Sequence, residues 1–236
     1  MRIAVTRPEE DAKALREKLG LFGHEAIQVP LLAIVPRSGV AIEPLAYQAV
    51  AATSANAIRA LEDHDGVKSL RMLTVGPQSL KAAQVKGFVR AEAHGGDVDG
   101  LVRHIRMALK PDDGPILYLS GAETAGDLQG QLSASGFDCR RVVLYDALPA
   151  ASLGPAEPAL RKGLIDAVLL YSPRSARIWC GLVAKAGLLA VAQAPSYLCL
   201  SRNVAKALPE SWNCHTPASP DESAMLALLE QLPRTG

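Results

Sequence analysis

The chain has 236 residues, 49% of them hydrophobic, which is enough to build real cores and too apolar for disorder to be the main state. Lys and Arg number 25 against 24 Asp and Glu, a formal charge of +1, so the broad basic surface of a non-specific nucleic-acid binder is excluded and any anionic ligand must be met by local geometry. The four cysteines (Cys139, Cys180, Cys199, Cys214) show no C-x-x-C spacing and read as reduced core residues, while the five histidines (His24, His64, His94, His104, His215) are scattered and read as surface-loop residues with no metal-binding pattern.

At the amino end, Arg2, Thr6 and Arg7 interrupt the first apolar run before it could serve as a signal peptide, and no later run approaches a membrane span. A cytoplasmic protein is expected. Short apolar runs then alternate with helical patterns, the signature of parallel sheets with helices on their faces. Strands are predicted near residues 2–5, 26–30, 49–53, 72–75, 88–91, 116–119, 140–145, 166–171, 196–200 and 212–215. These are more strands than one small sheet usually holds, so two sheets of about five are expected. Val35-Pro36-Arg37-Ser38-Gly39 and the stretch from Leu148 to Pro155 read as crossings between domains. The expected division is a discontinuous domain of residues 1–35 plus 150–236 and an inserted domain of 38–146. A capping box at Ser219-Pro220-Asp221-Glu222 is expected to open the last helix.

Three stretches recur about half the chain later. Ala4-Val5-Thr6-Arg7-Pro8 is echoed by Leu117-Tyr118-Leu119-Ser120-Gly121, Thr53-Ser54-Ala55-Asn56 by Tyr171-Ser172-Pro173-Arg174-Ser175, and Val75-Gly76-Pro77-Gln78-Ser79 by Leu200-Ser201-Arg202-Asn203. Each echo sets small hydroxylic or Gly residues between an apolar run and a helix start, where backbone N–H groups and the positive end of the helix dipole face an anion. In an open parallel sheet such turns lie beyond the carboxyl ends of the strands. Two facing sheets would then present Thr6, Arg7, Ser172, Pro173, Arg174, Ser175, Ser201, Arg202 and Asn203 on one wall and Thr53, Ser54, Asn56, Gly76, Gln78, Ser79, Ser120 and Gly121 on the other. Taken singly, each residue reads as an ordinary helix cap; taken together, they converge on one side. Arg7, Arg174 and Arg202 read equally as solvated charges or as guanidinium forks for carboxylates.

Cofactor and covalent chemistry leave no mark. There is no G-x-G-x-x-G after the first strand, no G-x-x-x-x-G-K-[ST] and no G-x-S-x-G. No cofactor and no metal are expected. Tyr145 ends the last predicted strand of the inserted domain, where its phenol either exchanges a proton with a ligand or packs at a hinge. Tyr118 and Tyr171 read as core.

The ordered series Val5-Thr6-Arg7-Pro8, Pro30, Thr53-Ser54-Ala55-Asn56-Ala57, Val75-Gly76-Pro77-Gln78-Ser79, Gly136 before Val142-Val143-Leu144-Tyr145, and Ser172-Pro173-Arg174-Ser175 resembles the uroporphyrinogen-III synthase family. The resemblance implies two flavodoxin-like domains, each a parallel sheet flanked by helices, joined by a two-stranded linker. It implies no metal or organic cofactor. The implied substrate is a linear tetrapyrrole, hydroxymethylbilane, closed into a ring with inversion of the last pyrrole and loss of water. Its eight carboxylates are met largely by backbone N–H groups. The resemblance further implies Tyr145 as the residue that assists hydroxyl departure and Ser79 as the hydroxylic residue of the V-G-x-x-[TS] turn. A monomer in transient contact with the upstream deaminase is expected. Two departures stand out: Ser201-Arg202-Asn203-Val204 replaces a Gly- and Thr-containing turn, and Glu123 stands near Ser120 and Gly121 where a basic residue is usual. The rival readings are a non-catalytic sensor that binds a small anion, a glycosyltransferase and a phosphorylation receiver. A receiver needs clustered acids where Thr6 and Arg7 stand, and no sugar-nucleotide site is visible, which leaves the sensor as the main competitor.

Overall fold

The computed structural model describes residues 1–64 and 66–233. In chain order its elements are β1 (Arg2–Val5), α1 (Glu9–Leu21), β2 (Glu25–Gln28), β3 (Leu32–Pro36), β4 (Ala49–Ala52), α2 (Ala55–Ala60), β5 (Arg71–Thr74), α3 (Pro77–Val85), β6 (Arg90–Ala93) and α4 (Val98–Ala108). There follow β7 (Ile116–Gly121), α5 (Leu128–Ser133), β8 (Cys139–Pro149), α6 (Ala156–Arg161), β9 (Ala167–Leu170), α7 (Pro173–Lys185), β10 (Ser196–Cys199), α8 (Arg202–Ala205), β11 (Asn213–His215) and α9 (Glu222–Leu229). The chain divides into two compact units, Met1–Ala33 with Leu148–Gly236, and Ile34–Ala147.

The first unit holds a five-stranded sheet in the order β11-β10-β9-β1-β2, parallel throughout. Its central strands β1, β9 and β10 are buried on both faces, which explains their continuous apolar sequence. Ala4, Val168, Val29 and Tyr197 face a core with Leu160 of α6 and Trp179 of α7. Ile3, Val5, Leu169 and Leu198 face the opposite core with Leu15 of α1 and Leu229 of α9. The alternation is the period-2 pleat read off directly.

The second unit holds a six-stranded sheet in the order β3-β8-β7-β4-β5-β6. Val50, Ala52, Leu117 and Met72 pack under α2 and α3. Ala49, Ala51, Leu73 and Tyr118 pack under Leu101 and Ile105 of α4 and Leu128 of α5. The alanines of β4 let helices approach both faces of the sheet at its centre.

The three sequence echoes fall on equivalent places. Laying β1 on β7, β2 on β8, β9 on β4, β10 on β5 and β11 on β6 turns one strand order into the other, with β3 left over as an added edge strand. The second unit is therefore the first with its chain order rotated: it begins at the strand that is third in the other.

Several local expectations are corrected. The crossing expected at Val35–Gly39 contains a strand, β3, and β8 runs on to Pro149, so Tyr145 lies inside a strand rather than at its end. Arg37 N donates to Leu144 O at 2.8 Å and Ala150 N to Leu31 O at 3.0 Å, an antiparallel pairing of β3 with β8. Ser120 and Gly121 are the last residues of β7, not turn residues. The last helix is capped by Asp221, whose carboxylate accepts from Ala224 N at 2.8 Å, while Ser219 Oγ donates to Asp221 Oδ2 at 2.5 Å. The carboxylate makes a charge-assisted bond to the amide and answers the helix dipole as well.

The histidines are corrected too. His24, His64 and His94 lie in loops, but the His24 side chain is buried and its Nε2 meets Glu230 Oε1 at 2.5 Å; His104 is on α4 and His215 on β11. All four cysteines are free, and burial pushes the Cys139 and Cys199 thiols up to about 12. Among the described residues, no helix is long and apolar enough to cross a membrane.

Candidate functional site

The carboxyl ends of β4 and β7 and the middle of β8 bring Ser54, Gly121 and Tyr145 together. Strand register does this: β7 and β8 run parallel from the Ile116–Cys139 pair, and an irregularity after Ser120 pairs Gly121 with Tyr145 rather than Leu144. The skipped residue re-aims the tyrosine. Its hydroxyl donates to Ser54 Oγ at 3.1 Å, and the same Oγ accepts from Asn56 N at 3.2 Å as the N-cap of α2. Tyr145 is only 7% exposed. A Cβ built on Gly121 would stand 2.5 Å from the ring's Cζ, so only glycine leaves the tyrosine this place.

The rest of this rim is polar and ordered. Thr53 Oγ1 and Tyr118 Oη lie 3.1 Å apart. Burial raises the Tyr118 phenol above its ordinary value, partly offset by that bond. Asn56 Oδ1 accepts from Arg59 Nη1 at 2.7 Å. At the start of α3, Gly76 contributes no side-chain cap, leaving the first-turn N–H groups beside exposed Gln78 and buried Ser79 without a capping oxygen. Of the residues expected here, Thr53, Ser54 and Asn56 are joined through Tyr118, Tyr145 and Arg59, whereas Gly76, Gln78 and Ser79 belong to the neighbouring helix start.

Sequence reasoning missed Arg141. It sits on β8 opposite Tyr118, where its Nε donates to Ser120 Oγ at 2.9 Å and its Nη2 to the carbonyls of Gly121 and Ala122 at 2.8 Å. The guanidinium thus ties down the strand end that carries Gly121. Nothing in the Arg140-Arg141 pair signals this, because it depends on the β7–β8 register.

The rim of the first unit is built from the echoed turns. Thr6 is buried and its Oγ1 donates to Leu169 O at 2.6 Å, binding the end of β1 to β9. Ser172 caps α7, accepting from Ser175 N at 3.1 Å with the two hydroxyls 2.8 Å apart, and Pro173 holds the first helical position. Arg174 is half-buried in that first turn. Arg7 lies 3.9 Å over the Tyr171 ring, and its Nη1 donates to Glu222 Oε2 at 2.8 Å, with Lys18 Nζ 2.7 Å from the other oxygen. A carboxylate of the chain itself therefore already faces Arg7. The start of α1 carries Glu9, Glu10 and Asp11, which oppose an incoming anion at that helix end. Ser201 makes no side-chain cap, and Arg202 and Asn203 are exposed at the start of α8. Tyr171 is only partly core: its hydroxyl is buried without a hydrogen-bond partner, and burial raises its phenol well above the ordinary value.

At edge strand β6 and the facing α4, Glu92, His94 and His104 gather in a cluster. The fork from Arg71 holds the Glu92 carboxyl down at about 2, and burial with the neighbouring positive groups lowers His104.

Residues 13–227 match the family model described as Uroporphyrinogen-III synthase HemD. No curated protein matches the chain significantly. Among solved structures, uroporphyrinogen-III synthetase from Helicobacter pylori is 15% identical over 99% of this chain and 100% of its own, with a TM-score of 0.69. A mutant uroporphyrinogen III synthase from the extremely thermophilic bacterium Thermus thermophilus is 16% identical over 98% of both chains, with a TM-score of 0.53. At such identities these likenesses establish a common mixed α/β fold of parallel sheets flanked by helices.

Proposed function

Because the chain belongs to the uroporphyrinogen-III synthase family, whose reaction closes hydroxymethylbilane into uroporphyrinogen III, we propose that it works as a cyclising hydro-lyase with Tyr145 as its proton donor. The family match over residues 13–227 carries the activity, and the Tyr145–Ser54–Gly121 arrangement carries the site. The rival sensor reading has no support beside a family of enzymes.

The reaction needs a poor leaving group made good, a cationic azafulvene tolerated, and a flexible chain coiled until its ends meet. Tyr145 meets the first need: its proton, resting on Ser54, moves to the departing hydroxyl, which leaves as water. Attack of the last pyrrole through its substituted carbon gives a spiro intermediate; rearrangement and closure release a ring proton that restores the phenol. Atoms and charge balance with one water lost and no cofactor consumed. The substrate closes unaided to the wrong isomer, so most of the protein's contribution is conformational: it orders the chain.

For the carboxylates we assign the uncapped α3 start with Gly76, Gln78 and Ser79, the α2 start with Thr53, Ser54 and Asn56, the α7 start with Ser172 to Ser175, and Ser201, Arg202 and Asn203. Arg7 contributes by exchanging Glu222 for substrate, or through its remaining N–H groups. Thr6, Ser120 and Gly121 act by shaping the rims. We read the two units as flavodoxin-like domains joined by β3 and β8 as a two-stranded linker, a reading the strand orders support. The protein is proposed to work in the cytoplasm as a monomer that meets the upstream deaminase transiently, since a bilane that closes wrongly on its own is best handed over quickly.

The test generates hydroxymethylbilane in place with a deaminase, adds the protein, oxidises the products and separates the isomers. The type III isomer is expected to dominate. Product that stays wholly type I overturns the assignment.

A further inference from the structure

Glu92, His94 and His104 stand far apart from any metal-binding sequence pattern, yet the fold puts them together. Parallel pairing of Leu73 with Glu92 places Glu92 on the sheet face that Leu73 shares with α4. His94, two residues on, continues along that side, and His104 comes down from α4. The three offered ligand atoms all lie within 4.8 Å of one another. His94 Nε2 is 2.8 Å from Glu92 Oε2, and the two imidazoles stack with centroids 3.3 Å apart and planes 7° apart. All three side chains are half-buried, so a small ion can reach them.

We propose that Glu92, His94 and His104 form a binding site for a borderline divalent cation of the zinc class. Two imidazoles and one carboxylate are the donor set that such an ion prefers, and they leave a fourth position for water. Tetrahedral bonds of about 2 Å separate ligand atoms by about 3.3 Å, so side-chain rotations alone bring the set to coordination distance. Arg71 is the second element of the design. Its fork reaches both Glu92 oxygens, Nε to Oε1 and Nη2 at 3.2 Å from Oε2, and the same Nη2 lies 3.4 Å from His104 Nε2, so an ion that takes Oε2 and His104 must displace Nη2 while Nε keeps Oε1. That displaced positive charge moderates affinity. The consequence is a tie between edge strand β6 and α4, two strands removed from β4 and the Ser54–Tyr145 pair.

Calorimetric titration of Zn2+ into the metal-free full chain is expected to show one site with a dissociation constant on the order of micromolar. His94→Ala and His104→Ala should each weaken it about ten-fold or more, with unchanged circular dichroism. Glu92→Gln, which keeps the side chain's shape, should weaken binding as well and serves if a histidine variant fails to fold. Co2+ in place of zinc is expected to show the intense visible absorption of a four-coordinate ion, lost in His104→Ala. Binding undiminished in all three variants, binding abolished only by alkylating the cysteines, or no binding at all would each overturn the site.

Discussion

The Tyr145 ring occupies the space that a side chain at residue 121 would need, with 2.5 Å between a Cβ built on Gly121 and the ring's Cζ. Gly121→Ala must therefore push the ring away and break its bond to Ser54. Overpacking of this kind costs about 1–3 kcal/mol, so the urea midpoint should fall. Turnover should fall further than that loss explains if Tyr145 is the proton donor proposed above, because the phenol is displaced in molecules that remain folded. An alanine variant with normal turnover would remove the packing relationship from the mechanism.

Tyr145→Phe separates the proton from the ring. The ring still packs, and Ser54 still accepts from Asn56 N, so stability should change by no more than about 1 kcal/mol. Turnover should drop roughly a hundred-fold, the lower end of what a positioned acid contributes, with type III product still formed because ordering of the substrate persists. Single-turnover assays on both variants distinguish the two effects. Full activity in Tyr145→Phe would take the tyrosine out of the proton path.

How much of this was legible beforehand depends on whether a feature is local. The alternation of apolar runs and helical patterns located β1, β2 and the strands from β4 to β11, and the echoes named equivalent strands, since central strands buried on both faces leave an unbroken apolar imprint. β3 escaped because its strand ends on Pro36, a residue that reads as a break, and β8 was shortened because its last residues approach Pro149. Ser54 and Ser172 were legible as caps, being one turn from their targets. Arg7 was not legible as a partner of Glu222, which lies 215 residues away. Likewise Gly121 looked like a turn glycine, whereas its purpose is a void for a ring on another strand. The Glu92, His94 and His104 cluster has no local signature, because one residue comes from a helix whose rotation is set by Leu101 and Ile105.

Tyr171 carries a buried hydroxyl without a partner. An unpaired buried hydroxyl costs about 1–3 kcal/mol in desolvation, and removing it recovers part of that. Tyr171→Phe should leave the urea midpoint unchanged or raise it, since the ring remains beneath Arg7 with its cation–π contact intact. A clear loss of stability would mean that the hydroxyl has a partner in solution.

Acid should act on the second unit through Glu92. The fork from Arg71 moves this carboxyl from an ordinary 4.5 to about 2, with a smaller contribution from His94. A depressed carboxyl gives up its proton more readily folded than unfolded. The stability it confers is therefore whole above its ordinary value and is lost as pH falls from about 4.5 towards about 2. The group is over a third exposed at its side chain, so solvent screening keeps the effect small. Urea midpoints of the native protein and of Glu92→Gln should differ most near neutrality and converge as pH is lowered through that window. A gap that stays constant down to about pH 3 would show that the variant's loss comes from packing or from hydrogen bonds that do not titrate, not from the Arg71 pair.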